Sequence, residues 1–322
     1  MTDIAVDTEH RLEEHRKELT GYCYRMLGSA FEADDAVQET LLRAWRSLED
    51  FEERSALRTW LYRIATNVCF DMLRSRQRRA LPMDMSPAAS SADAPLADPL
   101  PDSTWIEPIP DSRVLVGDPA ELAVSRESVR LAFVAAMQYL PPRQRAVLIL
   151  REVLRWKTTE VAALLETTQA SVNSALQRAR ATLEIKELNP AHPPERMDDA
   201  QRSLLDRYVD AFERYDIDSF VSLLHEDALQ SMPPYPMWLE SRDEIARWML
   251  GPGEGCRGSR LLAFEANGRP AFAQYRPSGP GGRHEPWNIH VVEISEGRVA
   301  AITYFLDTKL FPLFGLPSHP EG

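Results

Sequence analysis

Eight prolines fall among the 39 residues of segment 81–119, and neither a helical nor a strand period survives across it. Proline lacks the backbone N–H and fixes φ, so no helix or sheet interior runs through such a stretch. The 322-residue chain must therefore fold as separate bodies. At about 100–200 residues per domain, two or three are expected. Segment 81–118, with its Ser/Ala/Asp-rich middle, reads as a linker. One island in it, Trp105-Ile106-Glu107-Pro108-Ile109-Pro110-Asp111, is too apolar for a solvated tether and is expected to dock.

Before the linker, residues 1–80 carry three amphipathic helical runs. Leu12, Leu19, Tyr22, Cys23, Met26 and Leu27 share one face, and Gly28-Ser29 ends that run. The next opens with Glu32, Asp34 and Asp35, acids that suit a helix N-terminus, and sets Ala33, Val37, Leu41, Ala44, Trp45 and Leu48 on its apolar face. The third carries Leu57, Trp60, Leu61, Ile64, Ala65, Val68 and Met72, then closes in Arg74, Arg76, Arg78 and Arg79. A second helical block spans 119–188, broken at Leu140-Pro141-Pro142 and near 155–159 and 166–168. Beyond 189–194 the texture changes. A helix over 198–224 and a short one over 241–250 precede apolar runs at 261–264, 271–275, 287–294 and 299–306, which predicts an α+β domain over 198–315. The fold class is thus multidomain: two all-α bodies joined by a proline-rich linker, followed by an α+β body.

A net charge of −12 argues against nucleic acid only until it is resolved by segment: −2 for 1–80, −6 for 81–118, +3 for 119–188 and −7 for 189–322. Residues 54–80 hold seven arginines against one acid, Asp71. Two positive zones separated by acidic stretches suit two phosphate footprints. Apolar runs fall short of the roughly 18 residues of a membrane span, and the N-terminus is too charged for a secretory signal, so a cytoplasmic protein without membrane contact is expected. Cys23, Cys69 and Cys256 lack metal or disulfide spacing and read as buried small hydrophobes; no metal site is expected.

The most specific motif spans 158–180. Val161, Ala162 and Leu165 pack inward from one helix, a short turn follows, and Val172, Leu176 and Ala179 pack a second helix on the first. Gln169, Ser171, Asn173, Ser174, Gln177 and Arg178 are left to meet a major groove, the arrangement of a helix-turn-helix. A plain αα-hairpin with a solvated face carries the same pattern. In the third helix, Arg63, Asn67, Asp71 and Arg74 share the polar face. A basic helix end also arises simply to complement the dipole, but an amide among arginines and aromatics (Phe51, Trp60, Tyr62, Phe70) suits capture of unstacked bases.

Three segments together carry a family likeness. Residues 32–45 (EADDAVQETLLRAW), 58–67 (RTWLYRIATN) and 140–145 (LPPRQR) resemble, in order, the polymerase-clamp helix, the −10-element segment and the start of the −35-reading domain of sigma-70 factors of the extracytoplasmic-function group. The resemblance covers 1–187. It implies that Asp35, Gln38, Glu39, Leu42 and Arg43 face the clamp helices of core RNA polymerase, with the flap as a second contact. It further implies that Asn67, with the loop from Phe51 to Ala56, takes a flipped promoter base, and Arg63 lies on the same face. Arg74, Arg76, Arg78 and Arg79 would hold phosphates. Family recognition helices often carry Lys or Arg where Asn173 and Ala175 stand, which would leave Gln177, Arg178 and Arg180 more of the −35 contact.

Residues 198–315 resemble a SnoaL-like (NTF2-like) cone, a fold that encloses an apolar pocket. Tyr235, Trp238, Trp287, His290 and Tyr304 are candidate lining groups, with Met232, Trp248, Tyr275 and Phe305, although each aromatic equally suits an ordinary core. His225 or His290 with Asp227 or Asp243 offers only a scattered acid–base pair, and no catalytic residue or cofactor is expected. The expected function is that of an alternative sigma factor that binds core polymerase and promoter DNA. Its acidic C-terminal domain and linker would contact the sigma domains as a built-in regulator. Two rivals remain: a ligand-sensing DNA-binding regulator independent of polymerase, and a SnoaL-like enzyme with a DNA-binding appendage.

Overall fold

The computed structural model of the chain describes residues 10–48, 56–74, 76–86, 89–115, 119–184 and 197–320. It forms two compact units, Met1–Arg79 with Ile106–Pro194, and Ala80–Trp105 with Glu195–Gly322. The proline-rich segment is therefore divided between units rather than left as a free tether.

In the first unit, α1 (Arg16–Leu27), α2 (Ala30–Arg46) and α3 (Leu57–Leu73) pack together. Gly28 ends α1 in the left-handed conformation, φ 74°, with its N–H on the Tyr24 carbonyl. Ser29 then caps α2, its hydroxyl accepting from the Glu32 N–H at 3.2 Å. The apolar island docks here. Ile106 and Ile109 are fully buried, the Tyr24 hydroxyl donates to the Glu107 carbonyl at 2.8 Å, and the Glu107 N–H donates to the Gly28 carbonyl at 3.0 Å. A Cβ at Gly28 would stand 2.8 Å from Ile106 Cδ1, so glycine is required both by its φ and by this close approach.

The helical block that follows comprises α4 (Asp111–Val114), α5 (Pro119–Val129), α6 (Leu131–Met137), α7 (Pro142–Leu148), a π-helical turn at Ile149–Val153, α8 (Thr158–Leu164) and α9 (Gln169–Glu184). Pro142 starts α7, a position where the missing N–H costs nothing. Arg155 and Glu166, both at positive φ, make the reversals before and after α8. Two buried arginines join this block to α1. Arg145 donates to the carbonyls of Met26, Gln138 and Leu140 and to Gln138 Oε1. Arg25 donates to the Gly21 carbonyl at 2.7 Å and to Ser128 Oγ at 2.8 Å. Burial lowers both guanidinium pKa values to about 10, so each stays charged at neutral pH.

In the second unit, α10 (Asp199–Arg214) and α11 (Ile217–Ser222) replace the single helix expected over 198–224. Tyr215 takes φ 55° between them, its hydroxyl held by the carbonyls of Met249 at 2.6 Å and Gly253 at 2.9 Å. The chain enters β1 (Leu224–Ser231) directly, then β2 (Trp238–Glu240), α12 (Arg242–Leu250), β3 (Arg260–Ala266), β4 (Arg269–Arg276), β5 (Glu285–Ser295), β6 (Arg298–Phe305) and α13 (Leu310–Leu313). The sheet order is β2-β1-β6-β5-β4-β3, with β1 and β6 parallel and the other neighbours antiparallel. Tyr208, Phe212 and Phe220 from the helices meet Phe272, Val292 and Ile302 from the sheet in one apolar cluster. Segment 80–105 lies along this unit. The Ser90 N–H donates to the Trp238 carbonyl at 2.7 Å and the Leu100 N–H to the Pro234 carbonyl at 2.9 Å, which satisfies backbone at and near edge strand β2.

Gly28→Ala is expected to destabilise the first unit by about 1–2 kcal/mol from the left-handed backbone alone, with the Ile106 contact adding to it. Urea unfolding followed on that unit's transition is the measurement; an unchanged midpoint would remove the argument.

Candidate nucleic-acid interface

Helix α9 divides cleanly by burial. Val172, Ala175, Leu176, Ala179 and Leu183 face the core. Gln169, Ser171, Asn173, Ser174, Gln177, Arg178 and Arg180 are all exposed. The burial of Ala175 means that a longer basic side chain there would bear on packing; of the two departures from the family, only Asn173 changes the exposed face. Thr168 opens the helix, its hydroxyl accepting the Ser171 N–H at 3.1 Å. Arg180 Nη2 rests on Glu152 at 2.7 Å with about half its side chain exposed, a pair weak enough for a phosphate to displace.

On α3, Asn67 is exposed and Arg63 half-buried. Arg63 Nη2 donates to the Ala163 carbonyl at 3.3 Å, near the end of α8, with Glu166 4.0 Å away. Tyr62 is fully buried rather than available to a base. Its ring packs on Tyr22 at 5.2 Å and on Trp156 at 5.0 Å, and the Arg58 guanidinium lies over both Tyr62 and Trp156. Of the arginines expected on phosphates, Arg74, Arg76 and Arg78 are exposed. Arg74 pairs with Asp71, Arg76 with Glu32, and Arg78 sits 3.6 Å over the Tyr139 ring. Arg79 is different: it is buried, with Glu32 at 2.5 Å and Glu107 at 3.8 Å. It fastens segment 106–109 to α2 and does not fit the phosphate role, because the two carboxylates already claim its charge. Phe51 lies outside the described residues.

On α2, Asp35, Gln38, Leu42 and Arg43 are exposed and Glu39 is half-buried, all on the face opposite Ala33, Ala36, Val37, Thr40, Leu41 and Ala44. Arg43 Nε donates to Glu39 at 2.6 Å. Trp45, assigned to the apolar face by periodicity, is instead 59% exposed, beside Leu42 at 39%. The two follow each other at i, i+3 on the polar face, which was the signal that an indole there belongs to a surface and not to the core.

In the second unit, Tyr235, Trp287 and Tyr304 line a cavity together with Met232 and Trp248. Trp238, His290, Tyr275 and Phe305 do not. Trp238 is buried with Nε1 on the Ser86 carbonyl at 3.2 Å, and Tyr275 donates to the Pro317 carbonyl. Cys256 also lines the cavity and is only partly buried, unlike Cys23 and Cys69. His290 is fully buried between the Tyr208 hydroxyl, 3.0 Å from Nδ1, and Gln274 Oε1, 3.0 Å from Nε2. Burial lowers its pKa to about 3, so it stays neutral, a structural rather than an acid–base setting. No helix among the described residues is long and apolar enough to cross a membrane.

Comparison with known proteins matches residues 12–79 to sigma-70 region 2, 130–183 to sigma-70 region 4 and 205–302 to a SnoaL-like domain. The chain is 44% identical over 318 residues to the ECF RNA polymerase sigma factor SigG of Mycobacterium tuberculosis, across 97% of this chain and 84% of that one. It is 26% identical over 323 residues to SigJ of the same organism, across 96% of each. The crystal structure of SigJ shares the fold, with TM-score 0.62 at 22% identity over 96% of this chain and 99% of that one. These matches define a sigma-70-type protein with an added α+β domain. Within that class, the chain belongs to the ECF RNA polymerase sigma factors.

His290 yields a pH prediction. Unfolded, it titrates near 6.5; folded, near 3. The unfolded chain therefore binds a proton that the native chain refuses. The resulting stability is complete above pH 6.5 and is lost as pH falls from 6.5 towards 3, by up to about 1.4 kcal/mol per pH unit. Denaturation of the wild-type chain and of His290→Gln between pH 5 and 7 should show the shallower slope in the variant. Equal slopes would place the titration elsewhere.

Proposed function

We propose that this protein is an alternative sigma factor: a subunit without catalysis of its own that joins core RNA polymerase, reads −10 and −35 promoter elements and starts transcription. The observation that carries this reading is the division of α9 into a buried apolar row and an exposed polar row, in a chain whose α2 separately presents Leu42 and Trp45 to solvent. The first suits a major groove. The second suits a protein partner, since exposed aromatic and aliphatic side chains on a polar helix form the anchors of interfaces.

In this reading Asp35, Gln38, Glu39, Leu42 and Arg43, joined by Trp45, meet the polymerase clamp. Asn67 and Arg63 meet the −10 element, Arg74, Arg76 and Arg78 hold phosphates, and the exposed residues of α9 read the −35 element. Arg63 donates to the Ala163 carbonyl from a side chain that is only half-buried, so reaching DNA requires this bond to be given up. The acidic second unit is read as a regulator, because its negative charge competes with phosphates for arginine.

Run-off transcription with purified core polymerase tests the function. Duplex promoter binding by the chain alone, with no effect on core polymerase, would instead favour an independent DNA-binding regulator. Trp45→Ala should weaken association with core polymerase roughly 30-fold, about 2 kcal/mol, as loss of an interface anchor does. Its melting should be unchanged, since the indole is largely in solvent. A chain ended after residue 188 should differ from the full chain in transcriptional output; equal output from both would defeat the regulatory role.

A further inference from the structure

Where the end of α3 meets the start of α7, the first unit holds a recess of about 160 Å3. Its lining comes from two stretches far apart in sequence. Leu73 and residues 76–79 belong to sigma-70 region 2, whereas Gln138, Leu140, Pro142 and Arg145 belong to region 4. Among the described residues that line it, four are arginines, Arg76, Arg78, Arg79 and Arg145, and one is an acid, Glu32. What such a wall attracts depends on how those charges are balanced.

Glu32 receives both Arg76 and Arg79 on the same oxygen, and Arg79 has Glu107 as well. Arg78 lies 3.6 Å over the Tyr139 ring, a contact that supplies no negative charge. Arg145 is 4% exposed, and it donates to three backbone carbonyls and the Gln138 amide oxygen. Among the described residues, neither Arg78 nor Arg145 pairs with a carboxylate. The cations also crowd one another: burial first, and then the charge of Arg79, lower the Arg76 pKa. Two carboxylates thus stand against four guanidinium groups in a partly enclosed recess, where charge is screened less than on an open surface. A buried cation without a counter-ion is costly, and an anion admitted to the recess removes that cost.

We propose that this recess binds one free phosphate ion, and that the bound ion ties region 2 to region 4. Arg76 and Arg78 are exposed at its mouth and donate to the phosphate oxygens, the charge-assisted contact that a planar guanidinium makes best. Arg145 has its four Nη hydrogens on oxygen already and acts through its charge. The volume is below the roughly 300 Å3 at which sites for organic ligands begin, so it suits a single tetrahedral oxyanion and not a nucleotide. Because both regions supply the lining, the ion adds its binding free energy to their packed arrangement. Arg76 and Arg78 are also the groups read above as holding promoter phosphates, so the free ion and the promoter compete for them.

The test titrates inorganic phosphate into the full chain by calorimetry, in chloride of matched ionic strength. One ion per chain should bind saturably, and Arg78→Gln should weaken it about tenfold or more, the worth of a hydrogen bond to a charged group. Arg46→Gln, which removes an exposed arginine of the same unit outside the recess, should leave the affinity unchanged. Saturating phosphate should slow amide hydrogen exchange over 138–145 as well as over 76–79. No saturable binding, or equal weakening by the two variants, would overturn the proposal and leave an adventitious ion only. Protection confined to 76–79 would overturn the tie between the regions. A short DNA duplex at equal phosphate concentration should leave exchange over 138–145 unchanged; protection there by the duplex and none by the ion would overturn the free-ion assignment in favour of a backbone phosphate. The phosphate titration of the wild-type chain needs neither a variant to fold nor polymerase, so its failure is distinct from failure of the sigma-factor reading.

Discussion

The guanidinium of Arg145 sits where α1 ends, among the carbonyls of Met26, Gln138 and Leu140, and the first unit is organised around it. Helix C-termini leave carbonyls unpaired and carry partial negative charge, so a cation there satisfies acceptors and dipole together. Because α1 terminates at Gly28 and α2 restarts at Ser29, the same short reach also receives Ile106 and Glu107. Region 2, the docked island and the helical block of region 4 thus converge on one helix end. A charge buried in this way would be severely destabilising if its partners withdrew. The arrangement therefore stands or falls as a whole.

A second consequence concerns the residues proposed to meet DNA. Exposure is graded: Asn67 and the polar row of α9 stand free of the core, whereas Arg63 touches α8 and Arg79 is enclosed by carboxylates. Arginines near one another in sequence thus serve different ends. The exposed ones can meet phosphates at little cost, while the enclosed one is part of the scaffold that holds α2 and the docked island together.

Much of this was legible in the sequence where a period existed to read. The apolar row of α9 and the strands β3 to β6 stand where repeats of about 3.6 and 2 put them. The failures have physical causes. Trp45 lies at the border of an amphipathic face, where its size suggests burial and its angle does not. Tyr215 breaks a helix that no glycine or proline announces, because distant carbonyls of Met249 and Gly253 hold its hydroxyl. The acidic start of β1, His225-Glu226-Asp227, shows no alternation because it falls in the irregular stretch between the β6 pairs Leu224–Val299 and Leu229–Ala301. Segment 80–105 has no period at all; its placement comes from backbone bonds to residues more than 130 positions away in sequence.

That long reach has a consequence during synthesis. Residues 80–105 leave the ribosome well before Pro234 and Trp238, whose carbonyls receive them. At about 5–20 residues per second the delay is on the order of ten seconds. Throughout that interval regions 2 and 4 can emerge and fold while the strap between them still awaits its seat. The nascent chain therefore passes through a stage in which the promoter-reading modules exist and the body that fastens their connector does not.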